Sequence, residues 1–400
     1  MRKRMSIALI VLMVVSVNGN AQSDLPIPMS EFENLGIVDE EEGVSNENNP
    51  RIRIYLSDEE QALVKPVNDL GFNMFRKVGT NENVLLSPMG MTFVLGLINN
   101  GAANKTRTQI SKVLGCNDKE VAKVNKFCRK ILAEAPRIDR LTTIEINNDF
   151  YSYLGNEHIF IDFAIAAGDY HTVFHNLESE MLFGLVNTIY FKGVWTDKFR
   201  KINTRDEVFR GEDGKETMVP MMNQTHNFLY TENELCQALC LPYSNDTYQM
   251  IVLLPKKNKT IQEVAQSLTA DSWQKLHNKM RITNVDVKLP RFESSSEVNL
   301  TGVLSSLGMP NAFSREKADF SKLFDLDSYI KMILQKGHIK VDETGTEATV
   351  ATMLQGRIAG LDIVQPEVVC FHATHPFLYL VREWSTGTIF LIGQYMGTSE

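Results

Sequence analysis

No apolar run in this chain reaches the roughly 18 residues that a membrane-spanning helix needs, which excludes a helical integral membrane protein. Positive charge is in deficit, with 41 Lys+Arg against 49 Asp+Glu, so a general phosphate-backbone binder is not expected. Cysteine is scarce and odd in number. Cys116, Cys128, Cys236, Cys240 and Cys370 contain no C-x-x-C pair, so neither a disulfide framework nor a metal site is expected from their spacing. Catalytic signatures are missing too: there is no G-x-S-x-G, H-E-x-x-H, Walker A or G-x-G-x-x-G. Asp342 and Glu343 are adjacent, and on a strand they would face opposite ways, so they do not make an acid–base pair. His372 and His375 lie among apolar strand residues, where a structural hydrogen bond is the expected role. An enzyme is therefore not expected, and neither cofactor nor metal.

What is present is a charge–apolar–small order at the N-terminus. Arg2, Lys3 and Arg4 precede the apolar run Met5–Val17, and Gly19 and Ala21 sit three and one before a cut after Ala21. That predicts a signal peptide over residues 1–21 and an exported protein, extracellular or periplasmic. Its removal would take three positive charges and shift the net charge from −8 to −11. Residues 22–55 follow as an acidic tail expected to be flexible. Asn104, Asn223, Asn245, Asn258 and Asn299 each open an N-x-[ST] triplet, which matters only where the source glycosylates.

The folded domain is expected over 56–400. Ser57 and Glu60 form a capping-box pattern ahead of apolar residues at helical spacing. Beyond Leu141, β-branched and aromatic runs dominate: Thr143–Tyr153, Thr172–Asn176, Leu185–Phe191, Tyr248–Leu254, Asn284–Leu289, Tyr329–Val341, Val368–Phe371, Phe377–Arg382 and Thr388–Tyr395. Helices are predicted over Thr260–Leu276 and Leu300–Leu307. Mixed helices and many strands imply an α+β fold with large β-sheets.

One connection is anomalous. Asp342 to Glu367 is a long link between two strands, and compact domains keep such links when they are functional. Its first half carries a strand's pattern. Thr346, Ala348, Val350, Thr352 and Leu354 would share one uncharged face, with Glu347, Thr349, Ala351 and Met353 on the other. Pattern alone leaves open whether this is a permanent strand or one held in reserve.

Several motifs in order then carry a resemblance. Asn83-Val-Leu-Leu-Ser-Pro88, Asn100-Gly-Ala-Ala103 with Thr106, Val186 to Trp195, Leu289-Pro-Arg-Phe292, Leu307-Gly-Met309, Ala318-Asp-Phe-Ser321, Val341 to Ala348 and His375-Pro-Phe-Leu378 resemble the serpin family from about Val67 to Gly397. The resemblance implies the serpin fold, with surrounding helices and an exposed reactive loop at about 345–366. It implies a monomeric suicide inhibitor of a serine protease, elastase-like or trypsin-like, or of a cysteine protease. A protease would cut the loop, and the hinge half would insert into the main sheet as a new strand. The alternative is a non-inhibitory serpin acting as carrier, chaperone or substrate. The hinge is Glu343, Gly345, Thr346, Glu347, Ala348, Thr349, Val350, Ala351 and Thr352. Family spacing places the reactive bond at Ala359–Gly360, and Arg357–Ile358 is the second candidate. Ser87, Asn187, Gln335 and Trp195 are the expected cluster where the sheet opens.

Two departures from the family stand out. Only Glu178–Gly184 joins the strands at Thr172 and Leu185, where the family has a helix crossing the sheet. Seven residues reach at most about 25 Å, and a sheet crossover takes a dozen or more. In the cluster, Gly90 stands for a usual Ser and Gln335 for a usual His, and a looser gate is expected. Thr374 also departs from the C-terminal signature.

Overall fold

The computed structural model describes residues 49–79, 81–152, 159–160, 163–164, 172–176, 183–345 and 368–397. Residues 1–48, the link at 177–182 and the loop from Thr346 to Glu367 lie outside the described residues. So do both candidate reactive bonds, Ala359–Gly360 and Arg357–Ile358.

Helix α1 (Asp58–Val78) starts where the sequence indicates. Ser57 accepts from the Glu60 amide while the Glu60 carboxylate accepts from the Ser57 amide, satisfying two amides that the first turn leaves open. Strand β1 (Val84–Leu86) leads into α2 (Pro88–Gly101), whose first residue is proline, suited to that position because no amide is needed there. Apolar residues occur all round α2, and it is buried on every side as the central helix. Helices α3 (Asn104–Val113) and α4 (Val121–Glu134) complete the N-terminal helical layer.

The remaining strands are β2 (Thr142–Ser152), β3 (Thr172–Asn176), β4 (Phe183–Gly193), β5 (Arg205–Arg210), β6 (Glu216–Glu232), β7 (Cys236–Tyr243), β8 (Tyr248–Pro255), β9 (Arg281–Pro290), β10 (Phe292–Asn299), β11 (Ile330–Val341), β12 (Val369–His372), β13 (Phe377–Glu383) and β14 (Ile389–Tyr395). Short helices α5 (Ile261–Ser267), α6 (Ala270–His277) and α7 (Thr301–Leu307) interrupt them. The expected single helix Thr260–Leu276 is two helices. Thr269 caps the second one, accepting from the Ser272 amide, so the chain breaks at Leu268–Thr269.

Two sheets result. The larger runs β1-β14-β13-β8-β7-β6-β9-β12, with β5 on β6. The smaller, five-stranded sheet runs β10-β11-β4-β2-β3. In it β4 and β11 are parallel neighbours, register-paired from Ile330↔Phe183 to Ile339↔Phe191 with one irregularity between Ile330 and Met332. The sheet's other parallel contact is β2 with β3.

The short link needs no crossing of the sheet's face. Asn176 at the end of β3 and Phe183 at the start of β4 both pair with Ser152, on opposite sides of β2. The six residues between them bridge two strand spacings at the same sheet end, about 10 Å. The dozen-residue rule applies to parallel crossovers, and β3 and β4 run antiparallel to each other. Residues 49–55, grouped with the tail on composition, pack on the fold. Asn49 is buried and donates to Asp139 (2.7 Å) and Ser244 (2.8 Å), and the Arg51 guanidinium lies 3.4 Å from the Trp384 ring centre. Among the described residues no helix is long and apolar enough to cross a membrane.

Candidate functional site

The seam between β4 and β11 carries a buried amide ladder. Gln335 on β11 and Asn187 on β4 are register partners, and Asn187 is in turn the partner of Asn148 on β2. Gln335 Nε2 donates to Asn187 Oδ1 (2.8 Å), and Asn187 Nδ2 donates to Asn148 Oδ1 (2.9 Å) and the Asn147 carbonyl (3.2 Å). From the helical layer, the Ser87 amide donates to Gln335 Oε1 (2.8 Å) and the Ser87 carbonyl accepts from Gln335 Nε2 (3.1 Å). Ser87, Asn187 and Gln335 are fully buried, so all of these bonds except that to the Asn147 carbonyl are made away from water.

The hydroxyl missing at Gly90 leaves no gap. Its amide donates to Ser87 Oγ (2.9 Å), and a Cβ built there would lie 2.3 Å from Asn187 Oδ1 and 3.0 Å from Ser87 Oγ. The Asn187 amide fills the space that a side chain at this position would take. Trp195 is not part of this ladder. It lies past the end of β4, stacked on Tyr243 at 4.3 Å, with its indole N–H donating to the Asp342 carbonyl (2.8 Å).

At that end of the seam the chain leaves β11 and is anchored on three sides. The Asp342 carboxylate accepts from the Thr344 amide (2.9 Å) and hydroxyl (2.6 Å), closing a local turn. The Trp195 amide donates to the Thr344 carbonyl (3.2 Å), and the Phe199 amide to the Glu343 carbonyl (2.9 Å). Gly345 has φ +74°, and a Cβ there would stand 2.4 Å from both the Gly193 carbonyl oxygen and the Trp195 nitrogen. Glycine is thus required twice over, for its backbone angle and for its closeness to the chain after β4.

The Glu343 carboxylate is buried and receives Arg291 Nε (3.2 Å), Arg291 Nη2 and the Thr204 hydroxyl (2.7 Å). Burial pushes its pKa up, but the hydrogen bonds from Arg291 and Thr204, with the backbone, win and hold it below the usual carboxylate range. Arg291 and Thr204 were not picked out from the sequence. Arg291 does belong to the Leu289–Phe292 motif, which is the one signal that could have found it. Of the expected hinge, Glu343 and Gly345 are among the described residues and adjoin Trp195, while Thr346 to Thr352 are not described. His375 Nε2 donates to the Pro255 carbonyl (2.9 Å), a structural contact.

With this geometry in place, comparisons place the chain among known proteins. The family model described as Serpin (serine protease inhibitor) matches residues 65–159 and 167–398. An uncharacterised serpin-like protein of Thermococcus kodakarensis is 30% identical over 377 residues, 86% of this chain and 87% of that one. Human neuroserpin is 26% identical over 378 residues, 82% of this chain and 90% of its own. Among solved structures, the thermophilic serpin tengpin in its native state superposes with a TM-score of 0.75 at 24% identity, over 88% of this chain and 97% of that one.

Two predictions test this geometry. Asn187→Ala strips partners from Gln335 and Asn148, a cost of about 1–3 kcal/mol that lowers the urea midpoint. Gly90→Ser is also destabilising alone, because it strikes Asn187. The double variant should lose less than the sum of the two, since the serine side chain then occupies the vacated space. The second concerns acid. In the wild type the Glu343 contribution is complete above the unfolded carboxyl value of about 4.3, and it is lost as pH falls through the lower folded value. Arg291→Ala leaves only the Thr204 hydroxyl and the backbone to oppose burial, so the folded pKa rises. That variant should be weaker by about 2 kcal/mol at pH 7 and should recover part of the deficit near pH 4.5, as urea midpoints across pH will record.

Proposed function

Because this chain belongs to the serpin family, we propose that it is a secreted, single-use inhibitor of a serine protease that traps its target by inserting its own loop into the β4–β11 seam. One observation carries the reading. The chain leaves the end of β11 and reaches Gly345, at positive φ and packed against Gly193 and Trp195 at the end of β4, which is the mouth between the two parallel neighbours. A strand running back from there is antiparallel to both. Its entry would replace one parallel ladder with two antiparallel ones, a gain in hydrogen bonds and in pairing quality.

The inserting face would be Thr346, Ala348, Val350, Thr352 and Leu354. None carries a charge, and each Val- or Leu-sized side chain buried contributes roughly 1.5–3 kcal/mol. A charge on that face would instead incur several kcal/mol of desolvation. The chemistry up to the trap is the protease's own. Its serine oxygen attacks the Ala359 carbonyl, the peptide bond to Gly360 breaks, the Gly360 amine leaves with a proton, and Ala359 remains as an ester on the protease. Insertion then carries the tethered protease along the seam and distorts its site before water can release the ester. Ala359 suits a small apolar elastase-like pocket, and Arg357 would direct a trypsin-like enzyme to Arg357–Ile358 instead.

Incubation of the chain from Gln22 onward with elastase-like and trypsin-like proteases tests the proposal. An SDS-stable complex is expected together with a C-terminal fragment, beginning at Gly360 for the first bond or Ile358 for the second. Ala348→Arg should lower complex formation at least tenfold while cleavage continues, whereas Thr349→Arg, on the opposite face, should leave the complex largely intact. Cleavage without any stable complex in the unaltered chain would remove the inhibitory reading in favour of a non-inhibitory serpin.

A further inference from the structure

The described residues hold one group of side chains with metal-ligand chemistry, far from the seam, on β9 and β12. These strands are parallel neighbours, with Cys370 paired to Asp286 and His372 to Lys288. Val285, Val287 and Phe371 point into the core and are fully buried. The two-residue period of a strand therefore sends Asp286, Cys370 and His372 to the opposite face. There one ligand atom from each of the three lies within 4.8 Å of the others. We propose that Asp286, Cys370 and His372 form a binding site for a zinc-class divalent ion, with a fourth position open to water.

The donor set decides the class of ion. Thiolate, imidazole and carboxylate together suit Zn2+ or Co2+, whereas Mg2+ and Ca2+ demand oxygen ligands. Tetrahedral coordination at zinc bond lengths separates ligand atoms by about 3.3–3.7 Å. His372 Nε2 and Asp286 Oδ2, now 2.8 Å apart, would open slightly, and the Cys370 sulfur, within 4.8 Å of both, would settle at bonding distance by a side-chain rotation. Cys370 is exposed, so nothing packed around it opposes that rotation, and its proton would pass to solvent as the thiolate binds. Support for the ligands is in place. Thr225 on β6, the register partner of Asp286, donates its hydroxyl to Asp286 Oδ1 (3.1 Å), leaving Oδ2 directed at His372. Lys288 beside His372 is occupied by the Glu207 carboxylate, 2.8 Å from each of its oxygens, which offsets its charge near the incoming cation.

The site would act as a staple. β12 is four residues long, pairs among the described residues with β9 alone, and follows the loop. Two ligands come from β12 and one from β9, so a bound ion ties the loop's far anchor to the large sheet. This holds whether or not the loop inserts elsewhere.

Cobalt titration of the full chain under a non-chelating reductant is the test. Expected are one Co2+ per chain, a thiolate-to-cobalt charge-transfer band, its displacement by Zn2+, and a rise in Tm with Zn2+. Cys370→Ser should abolish the band and the Tm rise, and His372→Ala and Asp286→Asn should each weaken binding at least tenfold. Thr225→Val should weaken it about 10–100-fold, and Cys116→Ser should change nothing. Absence of the band, its survival in Cys370→Ser, or its indifference to both His372→Ala and Asp286→Asn would overturn the proposal.

Discussion

The structure turns on the parallel contact between β4 and β11. Parallel pairing is slightly weaker per residue than antiparallel, and here it lies between β10 and β2, each of which pairs antiparallel with its inner neighbour. The contact joins strands that are distant in sequence and can part without breaking any hairpin. The rest of the smaller sheet is held on either side of it, so it is the one place where that sheet could admit another strand while both halves stay intact.

A weak seam needs closure along its length, and three kinds of contact supply it. Near the start of β4, Phe183 meets Phe320, on the segment leading to β11, edge-on at 5.1 Å, an apolar lock. Midway, the Ser87–Gln335–Asn187–Asn148 ladder crosses three strands, and its buried amides cannot part without losing partners that water is absent to replace. At the far end, Trp195 and the Arg291–Glu343 pair fix the departing chain over the mouth. The polar contacts are directional and short in range, so they resist separation over the first ångström and little beyond it. Closures of this kind suit the loop exchange proposed above.

The sequence-based expectations succeeded where burial follows a period and faltered where it does not. Thr172–Asn176 coincides with β3, and Tyr329–Val341 with β11 to within a residue, because their branched and aromatic runs are bounded by turn residues. β6 went unread. Its 17 residues include Pro220, Asn223, Gln224, Thr225 and Asn227, and both of its faces are partly exposed, so no alternation marks it. The amide ladder was legible as Ser87, Asn187 and Gln335 through the family resemblance, but Asn148 was not, because only strand pairing brings it alongside Asn187. Trp195, expected in the same cluster, stands apart from the ladder, past the end of β4 beside Asp342 and Gly345. The metal-type triad was invisible in the same way: Asp286 is far from Cys370 in sequence, and their adjacency is a fact of register alone.

The short link at 177–182 gives the last step. β2 already lies between β3 and β4, and all three strand ends meet at Ser152, so β3 need not reach across the sheet to hand the chain to β4. The half of the sheet made by β4, β2 and β3 is therefore tied by a brief connection at one end, and β10 and β11 form the other half as direct partners over eight residue pairs. Each half keeps its own ladders when the seam parts, β4–β2 and β2–β3 on one side and β10–β11 on the other. Separation at the seam then concentrates its cost in the β4–β11 ladder, the amide bonds and the aromatic lock, and leaves the rest of the sheet's hydrogen bonds unchanged. A loop strand that arrived from Gly345 would regain the lost ladder on both sides. Opening and refilling are for that reason two parts of one exchange, and the direction in which it runs is set by how well the entering face fits the buried one.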